Sequence, residues 1–465
     1  MGNIVKWLFA ACLLATLAGC EKTGGGEDPP GEGDEKINRA VYSLLSEWYL
    51  WNDEVKAKTP DYTLAYNRFF TSLLSDKDGK PGLGYFSRIS RESVSKAGTE
   101  TSLGFEFTIP LEVTGYGMLA RVLYVYPGSP ADGKLERGDW IGEINGERIS
   151  YANYYDFYTT GTAVLTRVTA TPTTGNMVSI ARRDEVQVTA GPTDMNPILL
   201  SKVLPATGGP VAYLVYNAFE TGPNGYRDKT YDNQLKAIFR DFKSQGVSEL
   251  VLDLRYNGGG YVTSSQLLAS MIVPSNLLGS GVFVKQVYNR DKNRTDVMQY
   301  LGSGVVGDCN LNLSRVFVLT GYRTASASEL IINSLRGQGV DVVLIGDRTV
   351  GKNVGSEEHT LTFDGYKYVV NPIMFRSYNA QDWGAYEDGF APDHAIDEED
   401  GFPVWHGLGD PAEAMLGKAL ALIAGTATAD AVRIGGVLPA NTRRTGLQTR
   451  VGESDGGMVV VPEAE

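Results

Sequence analysis

The segment Val316-Phe317-Val318-Leu319-Thr320-Gly321-Tyr322-Arg323-Thr324-Ala325-Ser326-Ala327-Ser328-Glu329-Leu330-Ile331-Ile332 changes character twice. Its apolar start reads as a buried strand and its apolar end as the opening of a helix. The small residues between them form a turn that can expose a serine hydroxyl beside backbone N–H groups at a helix N-terminus. Taken alone, the same pattern fits an ordinary serine N-cap. A further apolar strand, Val342-Val343-Leu344-Ile345, leads into Thr349-Val350-Gly351-Lys352. A serine on a tight turn and a lysine reached through apolar sequence are the two parts a Ser-Lys hydrolase needs. The hydroxyl must lose its proton as it attacks, and a lysine desolvated by burial is neutral enough to take it.

Around this segment strands and helices alternate. Val211-Ala212-Tyr213-Leu214-Val215 reads as a strand, and residues 232–243 as a helix with Leu235, Ile238, Phe239 and Phe242 on one face. Leu250-Val251-Leu252-Asp253-Leu254 reads as a buried strand that runs into Arg255-Tyr256-Asn257-Gly258-Gly259-Gly260, with a helix expected over 264–272. This alternation predicts an α/β domain over 191–427. A last helix is expected over 411–423, with Asp410 as N-cap and Pro411 in the first turn. Residues 428–465 show no sustained period and read as a flexible tail.

Upstream, over 99–190, the period shortens toward two. Leu103-Gly104-Phe105-Glu106-Phe107 and residues 119–125 read as strands, followed by GSPADGKLERGDWIGEINGE over 128–147. That run resembles a PDZ domain. The resemblance implies that Leu103, Gly104 and Phe105 turn backbone N–H groups toward a peptide's terminal carboxylate while the adjoining strand edge pairs with its main chain. Asn145-Gly146 is a hairpin turn, and residues 153–166 depart from a compact PDZ pattern. Residues 36–98 read as a helical module: Ile37, Val41, Leu44, Leu45, Trp48 and Tyr49 follow helical spacing, and a second helical stretch runs near 62–74.

The N-terminus reads as a targeting signal over 1–19. Lys6 is followed by an apolar stretch too short to span a bilayer, and Leu17-Ala18-Gly19-Cys20 resembles the lipobox of bacterial lipoproteins. Cys20 would carry the lipid, and the Gly-, Pro- and acid-rich residues 20–35 would be a flexible tether. Of Cys12, Cys20 and Cys309, only Cys309 then remains, and it reads as a buried small hydrophobe. A net charge of −13 without a basic cluster argues against nucleic acid as a partner. His359, His394 and His406 are widely spaced, with no HExxH, so neither a metal nor another cofactor is expected; His359 and His394 read as structural.

Taken in order, the PDZ-like run, LVLDLRYNGGG (250–260), LTGYRTASASEL (319–330) and IGDRTVGK (345–352) resemble the carboxyl-terminal processing (tail-specific) serine peptidases. The resemblance covers about residues 100–400. It implies a crotonase/ClpP-like α/β peptidase core, a PDZ-like domain inserted in or preceding it, and an N-terminal helical module. It implies Ser326 as nucleophile and Lys352 as general base. Oxyanion donors would come from the N–H of Ala327 and from Gly259 or Gly260. Asp253 and Arg255 are expected to hold the fold. Some family members carry Gln where this chain has Ser356, and others carry Asp near Arg336-Gly337-Gln338. A third catalytic member is therefore open among Ser356, Glu358 and Gln338.

The expected function is a lipid-anchored serine endopeptidase of the bacterial cell envelope, either periplasmic or an outer-membrane lipoprotein. It would act on proteins with a free C-terminus and touch the membrane through its lipid. Two alternatives stand beside it: an inert lipoprotein that only holds C-terminal tails, and a hydrolase of non-peptide acyl substrates on the related crotonase-like fold. The chain's own end, residues 459–465, is a candidate occupant of the PDZ-like groove.

Overall fold

A computed structural model describes residues 34–93, 101–398, 404–426, 438–445, 449 and 458–460. The expected signal segment, residues 1–19, and the expected lipidation site Cys20 lie outside the described residues.

The central sheet has the order Ile198–Leu204, Val211–Tyr216, Glu249–Asp253, Arg315–Thr320, Asp341–Gly346 and His394–Ala395. Its first pair is antiparallel and the rest are parallel. The inner strands read as unbroken apolar runs because both of their faces are buried. Ala212, Leu214, Leu250, Leu252, Val316, Val318, Val342 and Leu344 face the helices Thr230–Ser244, Val262–Ile272 and Ala327–Gly337. Tyr213, Val215, Val251, Phe317, Leu319 and Ile345 pack on the helix Ala414–Ile423 instead. Each large side chain buried in these layers contributes about 1.5–3 kcal/mol. The parallel strands share one C-terminal edge, where α/β sheets place their ligand sites.

A seven-stranded sheet runs Met177–Thr189, Thr162–Thr173, Trp140–Ile144, Gly117–Val125, Phe105–Val113 and Thr442–Arg444, with Glu147–Arg148 paired to Trp140–Ile144. Phe107, Ile109, Val122, Ile141, Ile144 and Leu165 fill its core. The 153–166 stretch holds a short helix, Asp156–Thr159, and the start of a long hairpin strand.

The N-terminal residues form the helices Asp34–Trp48, Asn52–Ala57 and Tyr66–Leu73. Their apolar faces (Ile37, Val41, Leu45, Phe69, Phe70) pack against Val354, Tyr368, Val370 and Ile373 of the α/β region. The expected helical character through residue 98 gives way after Leu74. Arg88–Ser93 is a strand paired with Tyr366–Asn371, nearly three hundred residues on. No local periodicity could announce a partner that remote.

Two further expectations need correction. The last helix begins at Ala414, and its N-cap is Glu413, whose carboxylate accepts from the Leu416 N–H at 2.9 Å. Asp410 only caps the turn before it, accepting from the Ala412 N–H at 2.9 Å. Residues 428–465 also contain structure. Thr442–Arg444 joins the seven-stranded sheet, and Met458–Val460 lies in a six-stranded sheet between Gly260–Tyr261 and Val354–Glu357. The rest of the expected tail lies outside the described residues, apart from 438–441, Thr445 and Thr449.

Candidate active site

Ser326 stands where the strand Arg315–Thr320 has ended and the helix Ala327–Gly337 begins. Its backbone has φ 61° and ψ −113°, a conformation that costs a non-glycine residue about 1–3 kcal/mol. Packing holds it there. The Ala325 N–H and the Ser328 hydroxyl both donate to the Asn257 carbonyl, at 3.1 and 3.0 Å. The Thr324 hydroxyl donates to the Leu254 carbonyl at 2.8 Å. The Asn257 side chain donates to the Tyr216 carbonyl at 2.8 Å and accepts from the Gly259 N–H at 2.9 Å. The serine turn is thus clamped onto the Asp253-to-Gly260 loop, which explains why those two stretches belong together.

Gly259 lies directly on the serine. A Cβ at Gly259 would come within 2.8 Å of Ser326 Cβ and 3.1 Å of the Ala327 nitrogen, and its φ is +116°. Only glycine fits. Gly260 turns the other way, where a Cβ would meet the Phe219 carbonyl oxygen at 2.5 Å. Ala327 is the first residue of its helix, so its N–H has no intrahelical acceptor and is available to a substrate oxygen. The Gly259 N–H is engaged by Asn257 in this state.

Sequence reasoning passed over Glu329. Its carboxylate is fully buried and accepts four hydrogen bonds. Oε2 takes the N–H groups of Ser326 and Lys352, each at 2.8 Å; Oε1 takes the Thr349 hydroxyl and the Gly351 N–H, each at 2.6 Å. Burial raises the Glu329 pKa, and the four donors oppose that rise. The signal was present: a Glu three residues after a serine N-cap is half of a capping box. Of the residues considered for a third member, Gln338 caps the far end of the same helix and donates to the Val282 carbonyl at 2.8 Å. Ser356 lies on the strand Val354–Glu357 and Glu358 just beyond it.

Lys352 is 6 % exposed. Burial, and then the positive charge of Arg88, bring its pKa down to about 8, while Asp78 and Glu329 push back. Its Nζ lies 5.0 Å from the centre of the Phe86 ring. Asp78 is held by the Tyr49 hydroxyl at 2.8 Å and by the N–H groups of Phe86 and Ser87 at 3.1 and 3.0 Å. The surroundings of the lysine therefore come from the N-terminal residues. The Ser326 Oγ is buried without a hydrogen-bond partner among the described residues, Lys352 included.

The remaining sequence candidates lie elsewhere. Leu103 and Gly104 are buried, and the Gly104 carbonyl accepts from the Ser129 hydroxyl and the Tyr126 N–H at 2.8 and 3.0 Å. Phe105 packs on Phe107 and Phe157. The Arg323 guanidinium, beside the serine turn, donates to the Thr108 hydroxyl at 2.9 Å and so ties the turn to the strand Phe105–Val113. Asp253 and Arg255 belong to a buried ion network. Arg255 bonds Asp253 at 2.9 Å, Glu413 at 2.9 and 3.0 Å and Glu398 at 2.6 Å. Cys309 is buried and donates to the Val306 carbonyl at 3.4 Å, and His359 packs against Met374.

The profile of "Peptidase family S41" matches residues 210–396, and that of "Peptidase S41 N-terminal domain" matches residues 36–88. A chloroplastic C-terminal processing peptidase of Tetradesmus obliquus is 25% identical over 383 residues, spanning 79% of this chain and 74% of that protein. The tail-specific protease of Haemophilus influenzae is 24% identical over 373 residues, 75% of this chain and 49% of that protein, so the chain spans about half of its length. Among solved structures, a Bacteroides fragilis NCTC 9343 protein assigned to the S41 proteases superposes with a TM-score of 0.73 at 28% identity. That match covers 84% of this chain and 98% of the other.

Proposed function

The chain belongs to peptidase family S41 and is a serine-type peptidase, and from that premise we propose that Ser326 and Lys352 form its catalytic dyad. The observation that carries this reading is the single carboxylate oxygen of Glu329 that fixes the backbones of both residues. Neutral Lys352 takes the Ser326 proton as Oγ attacks a peptide carbonyl. The oxyanion is received by the N–H of Ala327, joined by that of Gly259 once it leaves Asn257. Protonated Lys352 returns its proton to the departing amine, and water then releases the acyl group by the reverse sequence. With a pKa of about 8, roughly a tenth of Lys352 is neutral at pH 7, near the optimum for a general base. Glu329 acts as a positioning residue.

We further propose a crotonase/ClpP-like plan for the α/β core and a PDZ-like role for residues 99–190. Leu103, Gly104 and Phe105 would receive the terminal carboxylate of a protein substrate, and the Phe105–Val113 edge would pair with its last residues. The antiparallel pairing that this edge already accepts from Thr442–Arg444 supports its capacity for strand addition. The Arg323–Thr108 contact gives that edge a physical link to the serine turn. Lipid on Cys20 would hold the enzyme at the bacterial cell envelope; among the described residues no helix is long and apolar enough to cross a membrane. Cleavage of a protein with a free apolar C-terminus, lost when that terminus is amidated, tests the tail-capture half of this reading. Mass-spectrometric detection of palmitate-labelled Cys20 tests the anchor.

A further inference from the structure

The chain's own C-terminal region lies along both of the strand edges that a peptide substrate would need. Its first contact is with the strand Phe105–Val113. Thr442, Arg443 and Arg444 stand opposite Val113, Glu112 and Leu111 in antiparallel register. The path continues in the same direction: the Thr445 N–H donates to the Pro110 carbonyl at 3.2 Å, and the Thr449 hydroxyl to the Phe107 carbonyl at 2.7 Å. The segment therefore runs toward the Leu103-Gly104 loop. Its base is fixed by a reciprocal pair of bonds between Asn441 and the Val178 backbone, both 2.9 Å, and by Arg443 on Glu112 at 2.9 Å.

The second contact is at the catalytic centre. Met458–Val460 fills a strand-wide slot in parallel register on both sides. Met458 and Val459 stand opposite Gly260 and Tyr261; Val459 and Val460 stand opposite Ser356 and Glu357. One wall of the slot follows immediately on Gly259, which touches Ser326, and the other begins two residues after Lys352. An extended polypeptide between these walls lies between the nucleophile's loop and the base's loop. That is where a scissile segment must be held, by main-chain bonds on both edges.

The order of the two contacts decides what this occupancy means. A substrate held by its C-terminus places its last residues on Phe105–Val113 and upstream residues at Ser326. Here the segment on Phe105–Val113 comes first in the chain and the segment at the slot comes after it. The same chain cannot present itself as a tail-captured substrate in this arrangement. We propose that the strands Thr442–Arg444 and Met458–Val460 form a built-in inhibitor that closes both peptide edges at once, and that a substrate's C-terminus opens the enzyme by competing for the Phe105–Val113 edge. This inference rests on the functional reading above for the identity of the slot. Because the occupant is tethered, its effective concentration is of millimolar order, enough for a few strand pairs to exclude a free peptide present at micromolar levels.

The test uses the inactive S326A background, so that binding is read without turnover. A fluorescein-labelled peptide with an apolar, free C-terminus is titrated into the full chain, into a chain ending at Asn441, and into full-length Val459→Pro. The proline removes a backbone donor inside the sheet while leaving the Thr442–Arg444 strand in place. The expected result is at least tenfold tighter binding to the shortened chain. With serine intact, Val459→Pro should cleave a short peptide substrate at least tenfold faster than the full chain, and a synthetic peptide of residues 458–465 should inhibit it competitively. Equal affinity for all three proteins, with no inhibition by the synthetic peptide, overturns the proposal. If the shortened chain does not fold, the Val459→Pro comparison alone decides. A protein that shows the binding difference yet never cleaves would sink the catalytic assignment and leave the occupancy standing.

Discussion

The backbone amides of Ser326 and Lys352 donate to the same atom, Oε2 of Glu329, each over 2.8 Å. The proposed nucleophile and base are carried by different loops, and this buried oxygen fixes the backbone of one relative to that of the other. The second oxygen, Oε1, holds Thr349 and Gly351 and so sets the path of the loop that delivers Lys352.

Glu329→Gln should therefore damage turnover more than binding. The amide that replaces one oxygen would face N–H donors with a donor of its own. Each unsatisfied buried group costs about 1–3 kcal/mol, so kcat should fall about 10- to 100-fold with KM little changed. Loss of the negative charge also removes a force that raises the Lys352 pKa. The acid limb of the pH–rate profile should move to lower pH, a shift that mere loosening of the fold would not produce.

With Lys352 as the proposed general base, the pH profile of the wild type follows its titration. Activity should rise through a midpoint at about 8 and fall roughly tenfold per pH unit below it, because only the neutral amine can accept the Ser326 proton. Asp78→Asn should lower that midpoint and Arg88→Gln should raise it, since the first removes a stabilising anion and the second a repelling cation. A flat limb down to about pH 5 would contradict the role.

Stability should move in the opposite sense to activity when the lysine is removed. The folded pKa lies below the ordinary value of 10.5, so below about 8 folding carries the cost of a buried charge. That cost fades as pH rises through 8 and toward 10.5. Lys352→Met should melt at or above wild type at pH 6 and lose this advantage at high pH, while turning over no substrate.

Arg255→Met should be strongly destabilising. It leaves the buried carboxylates of Asp253 and Glu413 without their shared cation, a loss of about 3–5 kcal/mol. In the wild type, burial would raise the Glu413 pKa, but Arg255 outweighs it and holds the carboxyl well below its ordinary 4.5. Its stabilisation is present above that ordinary value and is lost as pH falls through the depressed one. Thermal melts of the two proteins between pH 3 and 7 should show the gap narrowing toward the acid end.

The parts of this fold that depend on local pattern were legible. The strands around Val211, Leu250, Val316 and Val342 announced themselves because both sheet faces are buried, and the serine turn because small residues separate two apolar runs. The loop carrying Gly259 was legible as a glycine run, but periodicity could not say that Gly259 rather than Gly260 faces Ser326. Long-range pairing was not legible. Arg88–Ser93 finds its partner at Tyr366–Asn371, and Asp78 and Arg88 reach Lys352 from the other end of the chain. Met458–Val460 looked like unpatterned tail because a three-residue strand paired between remote neighbours has no period of its own. Asp410 looked like the better N-cap by residue type. Glu413 takes the place because Arg255 already holds its carboxylate at the helix start.

The most direct measurement is the fate of a soluble test protein ending in an apolar tail, incubated with wild type and with Ser326→Ala, its C-terminus free in one sample and amidated in the other. Cleavage by the wild type alone, and only of the free-tailed protein, is the expected result. Cleavage that survives in Ser326→Ala would contradict the assignment of the nucleophile and, with it, the account of the site.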